Sequence, residues 1–350
     1  MAGVEILRIV SSFMGMNEQE VADLDAKARG LFISAFLRRR LVDTLEGRDT
    51  FTREAFAQFL FDGFYRTADP TNERSKRPPG ADAIIHSYPN AVTLSVTRTC
   101  HVKCTYCFRG DLIEPAQTFA ADPVTAGLSW IGSHPQIRTV VVTGGDPFTV
   151  PPAKLHRIVA DLVALPSVEE IRLDTRVLTV RPSVINGNSE VRRMLAAGSG
   201  KLWFYSQINS AAEFHPDVDR AVEAVRTSGV PVINQAVILK GVNDHPDLMQ
   251  DLVLQCIKRG IRTDYLYILD GIDDSTFRVD DDGLVAIFRR LWSNELSGLA
   301  RPRAVYVDPL TNTKSQLLLS PMGHDEEAVF RDFLEKRQDK YRHAIHQPLR

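Results

Sequence analysis

The sequence predicts an α/β protein whose parallel strands alternate with helices and curl into a barrel segment, a partial (β/α)6 barrel. Three observations lead there. From residue 90 onward, short β-branched runs alternate with amphipathic stretches six times, the pattern of a parallel sheet with crossover helices. Such crossovers are right-handed, which curls successive units around one axis. The chain has 350 residues, 44% of them hydrophobic, and α/β barrels of this length commonly form one domain.

Each element has its own justification. Residues 1 to about 75 place apolar residues at helical spacing, as in FISAFLRRRLVDTLEG and REAFAQFLFDGFYR, and predict a helical extension. Residues 67–83 are rich in proline, charge and small side chains and read as a linker or surface loop. Strands are expected over 92–97, 138–143, 169–175, 200–206, 230–238 and 263–269. Helices are expected near 122–133, 152–164, 187–197, 212–228, 246–259 and 280–296. The division expected is 1–84 for the extension and linker, 85–298 for the barrel, and 299–350 for a C-terminal strand and helix segment. In a barrel, functional residues sit just past the strand C-termini.

The charge balance excludes some partners. With 42 Lys and Arg against 44 Asp and Glu, the formal net charge is −2. That gives no reason to expect nucleic acid or an anionic membrane as partner. No stretch reaches the roughly 18 apolar residues of a membrane span. The start MAGVEILRIV lacks the cationic and apolar regions of a leader, so the chain is expected to be cytoplasmic.

The four cysteines are unevenly placed. Cys100, Cys104 and Cys107 fall within eight residues, and Cys256 lies far away in the amphipathic LVLQCIKRG, where it is expected to pack in the core. Clustered cysteines in a cytosolic chain bind metal or perform catalysis. The cluster follows the first expected strand, at the mouth of the barrel. One short loop can wrap an Fe–S cluster with thiolates, and three ligands leave one iron of a [4Fe–4S] cluster open. The alternatives are a structural zinc site or three unconnected thiols. A zinc site shows paired C-x-x-C units and a fourth ligand, and His101, between two of the cysteines, is poorly spaced for it. One βα unit later comes Thr143-Gly144-Gly145-Asp146-Pro147. Paired glycines let backbone approach a ligand closely, although such a pair can also be a simple turn.

C-x3-C-x2-C with an aromatic before the last cysteine resembles the signature of the radical S-adenosylmethionine (SAM) superfamily. That resemblance implies a [4Fe–4S] cluster on Cys100, Cys104 and Cys107. SAM would chelate the open iron, with Gly144, Gly145 and Asp146 at its amino group. The order Cys-Thr-Tyr-Cys-Phe-Arg, TGGDPF, RLDTRVLTVRPSVI, NQAVILKGVNDH and YLYILD, over about residues 85–315, is similar to the lysine 2,3-aminomutase family. The likeness implies an isomerase that shifts an amino group on an amino acid and uses pyridoxal 5′-phosphate (PLP). It also implies a reducing electron donor such as flavodoxin or ferredoxin, with homo-oligomerisation open. The family's PLP lysine lies twelve residues beyond a proline, and Pro302 and Lys314 stand at that offset with AVYV between them. Arg109 matches the position that grips the α-carboxylate, and Asp270 the position that meets the side-chain ammonium. A second acidic position falls on Val307 or Asp308. Gln235 and Asn243 carry amides for SAM or substrate, or for the backbone. Several positions depart from the family. Ser87 and Ala91 stand where it has phosphate-binding arginines, with Arg176, Arg181 and Lys240 as replacements; Gln207-Ile-Asn209 replaces a histidine-containing segment; and the glycines before the lysine are missing. An alternative is a PLP-independent radical SAM enzyme on the same scaffold, acting on another small polar substrate.

Overall fold

Alternation along each strand shapes the molecule. In EIRLDT, Ile171 and Leu173 are fully buried while Glu170, Arg172 and Asp174 are half-buried. One face therefore packs under helices and the other lines a polar lumen. A computed structural model describes residues 2–28, 33–60, 72–109, 122–198, 200–269, 277–308, 310–311, 313–317 and 324–345.

All six expected strands form: β2 (Ala91–Thr97), β3 (Thr139–Gly144), β4 (Glu170–Thr175), β5 (Leu202–Ser206), β6 (Val232–Ile238) and β7 (Ile261–Ile268). They pair in parallel and in sequence order. Three more complete a nine-stranded sheet. β1 (Ile84–Tyr88) lies antiparallel on β2, β8 (Arg303–Asp308) extends the parallel order, and β9 (Thr313–Leu317) runs antiparallel on β8. The curled sheet brings its two edges together: the Lys314 amide on β9 donates to Tyr88 Oη at the end of β1, 3.2 Å away. Long helices link the parallel strands: α5 (Pro123–Gly132), α6 (Pro152–Ala164), α8 (Ser189–Gly198), α9 (Pro216–Thr227), α10 (Pro246–Lys258) and α11 (Asp281–Leu291). A single turn, α7 (Val177–Val180), follows β4, and α12 (His324–Ile345) packs Phe330 against Phe288 and Trp292 of the α11 region. Proline at the first position and a side-chain cap at the residue before start α5, α9 and α10, where Asp122, His215 and His245 each accept an amide N–H.

The N-terminal extension folds as α1 (Ala2–Met14), α2 (Glu18–Ala28), α3 (Ala35–Leu45) and α4 (Arg53–Ala57). Its apolar faces form a second core of Val10, Phe13, Leu37, Leu41, Phe51, Phe56 and Phe59, which takes in Val102 and part of Cys104. The extension thus packs directly against the cysteine loop.

Candidate active site at the barrel mouth

The cysteine loop leaves β2 at Thr97 and is clamped from two sides. Gly145 and Asp146 donate their amides to Thr97 and Thr99 carbonyls, each at 2.8 Å. A Cβ on Gly144, at φ +122°, would meet Thr97 O at 2.2 Å, and one on Gly145 would meet Thr99 O at 2.1 Å. The close approach that the glycine pair permits is therefore to the cysteine loop's own backbone, where the sequence reading expects a ligand. The Asp146 carboxylate accepts from Thr175 Oγ1 at 2.8 and 2.9 Å, from the Arg176 amide at 2.9 Å and from the Phe148 amide at 3.0 Å. It ties β3 to β4 beneath the loop. From the extension, the Gln58 carbonyl accepts from the Thr105 amide at 3.0 Å.

Arg176 holds the third side. Its guanidinium is buried and donates to Gln58 Oε1 at 2.6 Å, Glu213 Oε2 at 3.0 Å and Cys104 Sγ at 3.2 Å, and also to Tyr106 Oη. Tyr106, the aromatic before the last cysteine, donates onward to Gln207 Oε1 at 3.1 Å. Asn209 reaches Gln58 Oε1 at 2.9 Å and accepts from the Val237 amide at 2.9 Å. The residues that replace the family's histidine segment thus brace the cysteine loop. Both terminal nitrogens of Arg176 are engaged, while its Nε is buried without a partner, and that engagement removes Arg176 from the cations expected to replace the missing arginines. Arg181 lies 3.4 Å from His101 Nδ1.

Three thiols on one loop suit a soft, thiolate-held iron cluster. Burial pushes the Cys107 thiol up to about 12 and Cys100 well above its ordinary value, so iron ligation is what would make these sulfurs anionic. Among the described residues, no three His, Cys, Asp or Glu side chains already close around one point; the sulfurs are carried together without forming a cage. Cys256 is fully buried, beside Asn234 at 3.8 Å.

Below the loop, the lumen holds charged groups in pairs. Arg109 meets Glu73 with Nε at 3.1 and 3.0 Å and Nη2 at 2.8 Å, and its Nη1 lies 3.4 Å from Thr143. The fork expected to grip a substrate carboxylate is thus turned onto a carboxylate of the chain. Arg172 pairs with Glu170 at 2.7 Å, and Arg303 with Asp264 at 2.5 Å. Lys314 reaches over Tyr265 and Tyr267 and donates to Tyr265 Oη at 2.7 Å. Gln235, half-buried, is in register with Tyr265. Asn243 is buried and satisfied by the Leu239 amide at 2.7 Å and the Asn209 and Val237 carbonyls at 2.8 Å, the structural alternative for that residue. Asp308 is buried against Lys340 of α12. Asp270 lies outside the described residues. Ser87 and Ala91 are half-buried on β1 and β2, and the lumen arginines nearest Lys314 are paired with acids, so no phosphate cradle is recognisable among the described residues.

The sequence reading missed Asp174. It projects into the lumen from β4, in register with Tyr205, and its Oδ1 is buried without a hydrogen bond. Burial raises its pKa, while Lys314, Arg172 and Arg109 hold it down. The alternation of EIRLDT carried the signal, because it puts Asp174 on the same face as Arg172.

The fold and the three-cysteine loop agree with a match of residues 94–253 to the radical SAM superfamily profile. That superfamily is one of enzymes that bind a [4Fe–4S] cluster and SAM, and all three clustered cysteines lie in the matched span. Within the superfamily its similarity is to the lysine 2,3-aminomutase family. A putative L-lysine 2,3-aminomutase of Aquifex aeolicus is 30% identical over 68% of this chain and 64% of its own length. The L-lysine 2,3-aminomutase of Fusobacterium nucleatum is 32% identical over 58% of this chain. That of Escherichia coli is 27% identical over 64% of this chain and 65% of its own. The chain spans about half the length of the Fusobacterium protein, 47%. Among the described residues no helix is long and apolar enough to cross a membrane.

Proposed function

We propose that the chain is an amino-acid 2,3-aminomutase that uses PLP and acts on a free amino acid, with electrons from a small carrier such as flavodoxin or ferredoxin. The observation that carries the reading is the seam of the sheet: Lys314 stands where β9 meets β1, with its amine in the lumen against Tyr265. Lys314 is an exposed residue of β9, but its amine is turned over Tyr265 and Tyr267 at the lumen, where a lysine has a chemical use.

When bound, the cluster and SAM supply a 5′-deoxyadenosyl radical that abstracts a substrate hydrogen. The chain's own residues do the rest. Cys100, Cys104 and Cys107 hold the iron. Gly144, Gly145 and Asp146 set the loop's height over the lumen, with Gln235 on the lumen wall. Tyr265 and Tyr267 orient the Lys314 amine. Arg109 takes the substrate carboxylate by exchanging Glu73 for it, a two-point pairing of the same geometry. Asp270 receives the side-chain cation.

The paired state of the lumen arginines favours a second reading, a PLP-independent radical SAM enzyme on the same scaffold. Anaerobic reconstitution separates the two. The aminomutase yields 5′-deoxyadenosine and a β-amino acid from a free amino acid, and shows a visible PLP band that Lys314→Ala removes. Formation of 5′-deoxyadenosine with no such band supports the second reading. Cys100→Ala, Cys104→Ala and Cys107→Ala are each expected to abolish iron loading, and Cys256→Ala to leave it intact.

A further inference from the structure

We propose that Asp174 is a specificity residue that receives a cationic group of the substrate, an ammonium or guanidinium. The inference takes only the substrate's class, an amino acid, from the aminomutase reading. The other lumen acids described above already face cations at hydrogen-bonding distance: Glu73 faces Arg109, Glu170 faces Arg172 and Asp264 faces Arg303. Asp174 stands amid Arg109, Arg172 and Lys314, close enough to feel all three. Yet the nitrogens just described point to Glu73, Glu170 and Tyr265, and Asp174 Oδ1 is left buried with no partner. An unpaired buried carboxylate oxygen is costly. A ligand cation entering the lumen would remove that cost, and an apolar side chain there would not. The position suits a substrate contact: Asp174 lies two residues before Arg176, which touches Cys104, so it sits just beneath the cysteine loop. Asp308, one candidate for the family's second acid, is closed off by Lys340. Asp174 supplies an acid inside the lumen instead.

The test is equilibrium binding of L-lysine, L-arginine and the uncharged analogue L-norleucine to the reconstituted protein. It compares the native chain with Asp174→Asn and Asp174→Glu, and 5′-deoxyadenosine is measured in the same samples. The native protein is expected to bind lysine or arginine about tenfold or more tightly than norleucine, as a charge-assisted hydrogen bond requires. Asp174→Asn is expected to lower that ratio severalfold by weakening only the cationic ligands, leaving the share that Asp270 supplies, and Asp174→Glu to preserve more of the preference. A native protein without preference, or a preference undiminished in Asp174→Asn, overturns the proposal. Turnover is a separate readout. If no amino acid yields 5′-deoxyadenosine, the aminomutase reading fails, while the binding ratios still decide the role of Asp174.

Discussion

Gly145 shows how little room the cysteine loop has. A methyl group there would stand 2.1 Å from the Thr99 carbonyl oxygen, and backbone cannot yield as a side-chain tip can. Gly145→Ala is expected to push the loop off β3, lowering both the melting temperature and the iron bound per chain after reconstitution, as read by thermal unfolding and iron analysis. Asp174 makes the opposite prediction. Its folded pKa lies above the unfolded value because burial outweighs the nearby cations. The folded state therefore holds the proton more tightly, and stability falls as pH rises from the ordinary carboxyl range through the raised folded pKa. Asp174→Asn removes that loss. In the absence of ligand the variant is expected to be the more stable at neutral pH, with the gap closing as the pH drops below the ordinary carboxyl value, measured by denaturant unfolding across pH. A group that destabilises the free protein is what a ligand contact can be.

At the scale of elements, the junction from β4 to α7 does the joining. Thr175 and the Arg176 amide take Asp146 from β3, and the Arg176 side chain takes Gln58 from beyond α4, Glu213 from the turn before α9, and Cys104. A buried ion pair broken on one side leaves its partner's charge uncompensated. Arg176→Gln strands Glu213, which is 1% exposed, and is expected to cost about 3–5 kcal/mol. Urea unfolding followed by circular dichroism would read it. A loss below 1 kcal/mol would mean that water or a rearranged Gln58 satisfies Glu213.

Across the whole molecule, the helical extension and the barrel share a core beside the cysteine loop, where the chemistry is expected. Phe56 is fully buried and packs on Phe13, Phe51 and Phe59, in the cluster that includes Val102 of the cysteine loop. Phe56→Ala is expected to cost about 3–5 kcal/mol and to reduce iron loading along with stability, although Phe56 lies outside the loop. Normal iron content in a destabilised Phe56→Ala protein would separate the extension's packing from support of the loop. A nine-stranded sheet with antiparallel strands at both edges also brings Lys314 to Tyr88 across 226 positions of sequence.

What the sequence by itself determined is local. Six β-branched runs became the six parallel strands because period and length suffice to specify a strand buried beneath helices. The three-cysteine spacing placed the thiols on one loop, since three residues so close in sequence cannot be far apart in space. The burial of Cys256 followed from its amphipathic helix. β1 and β9 were not read as strands, because IIHSY has only two adjacent apolar residues and TKSQL only one, neither an apolar alternation, and both owe their pairing to neighbours already in the sheet. Only the tertiary structure decided what each polar side chain faces. It turned the glycine pair toward the cysteine loop's backbone, gave Arg109 to Glu73, closed Asp308 against Lys340, bound Arg176 into the loop's foundation and left Asp174 open in the lumen. A residue type states which partners a side chain can take, but a charged group settles on whichever partner the folded chain brings within about 3 Å, and that choice rests on contacts many residues apart.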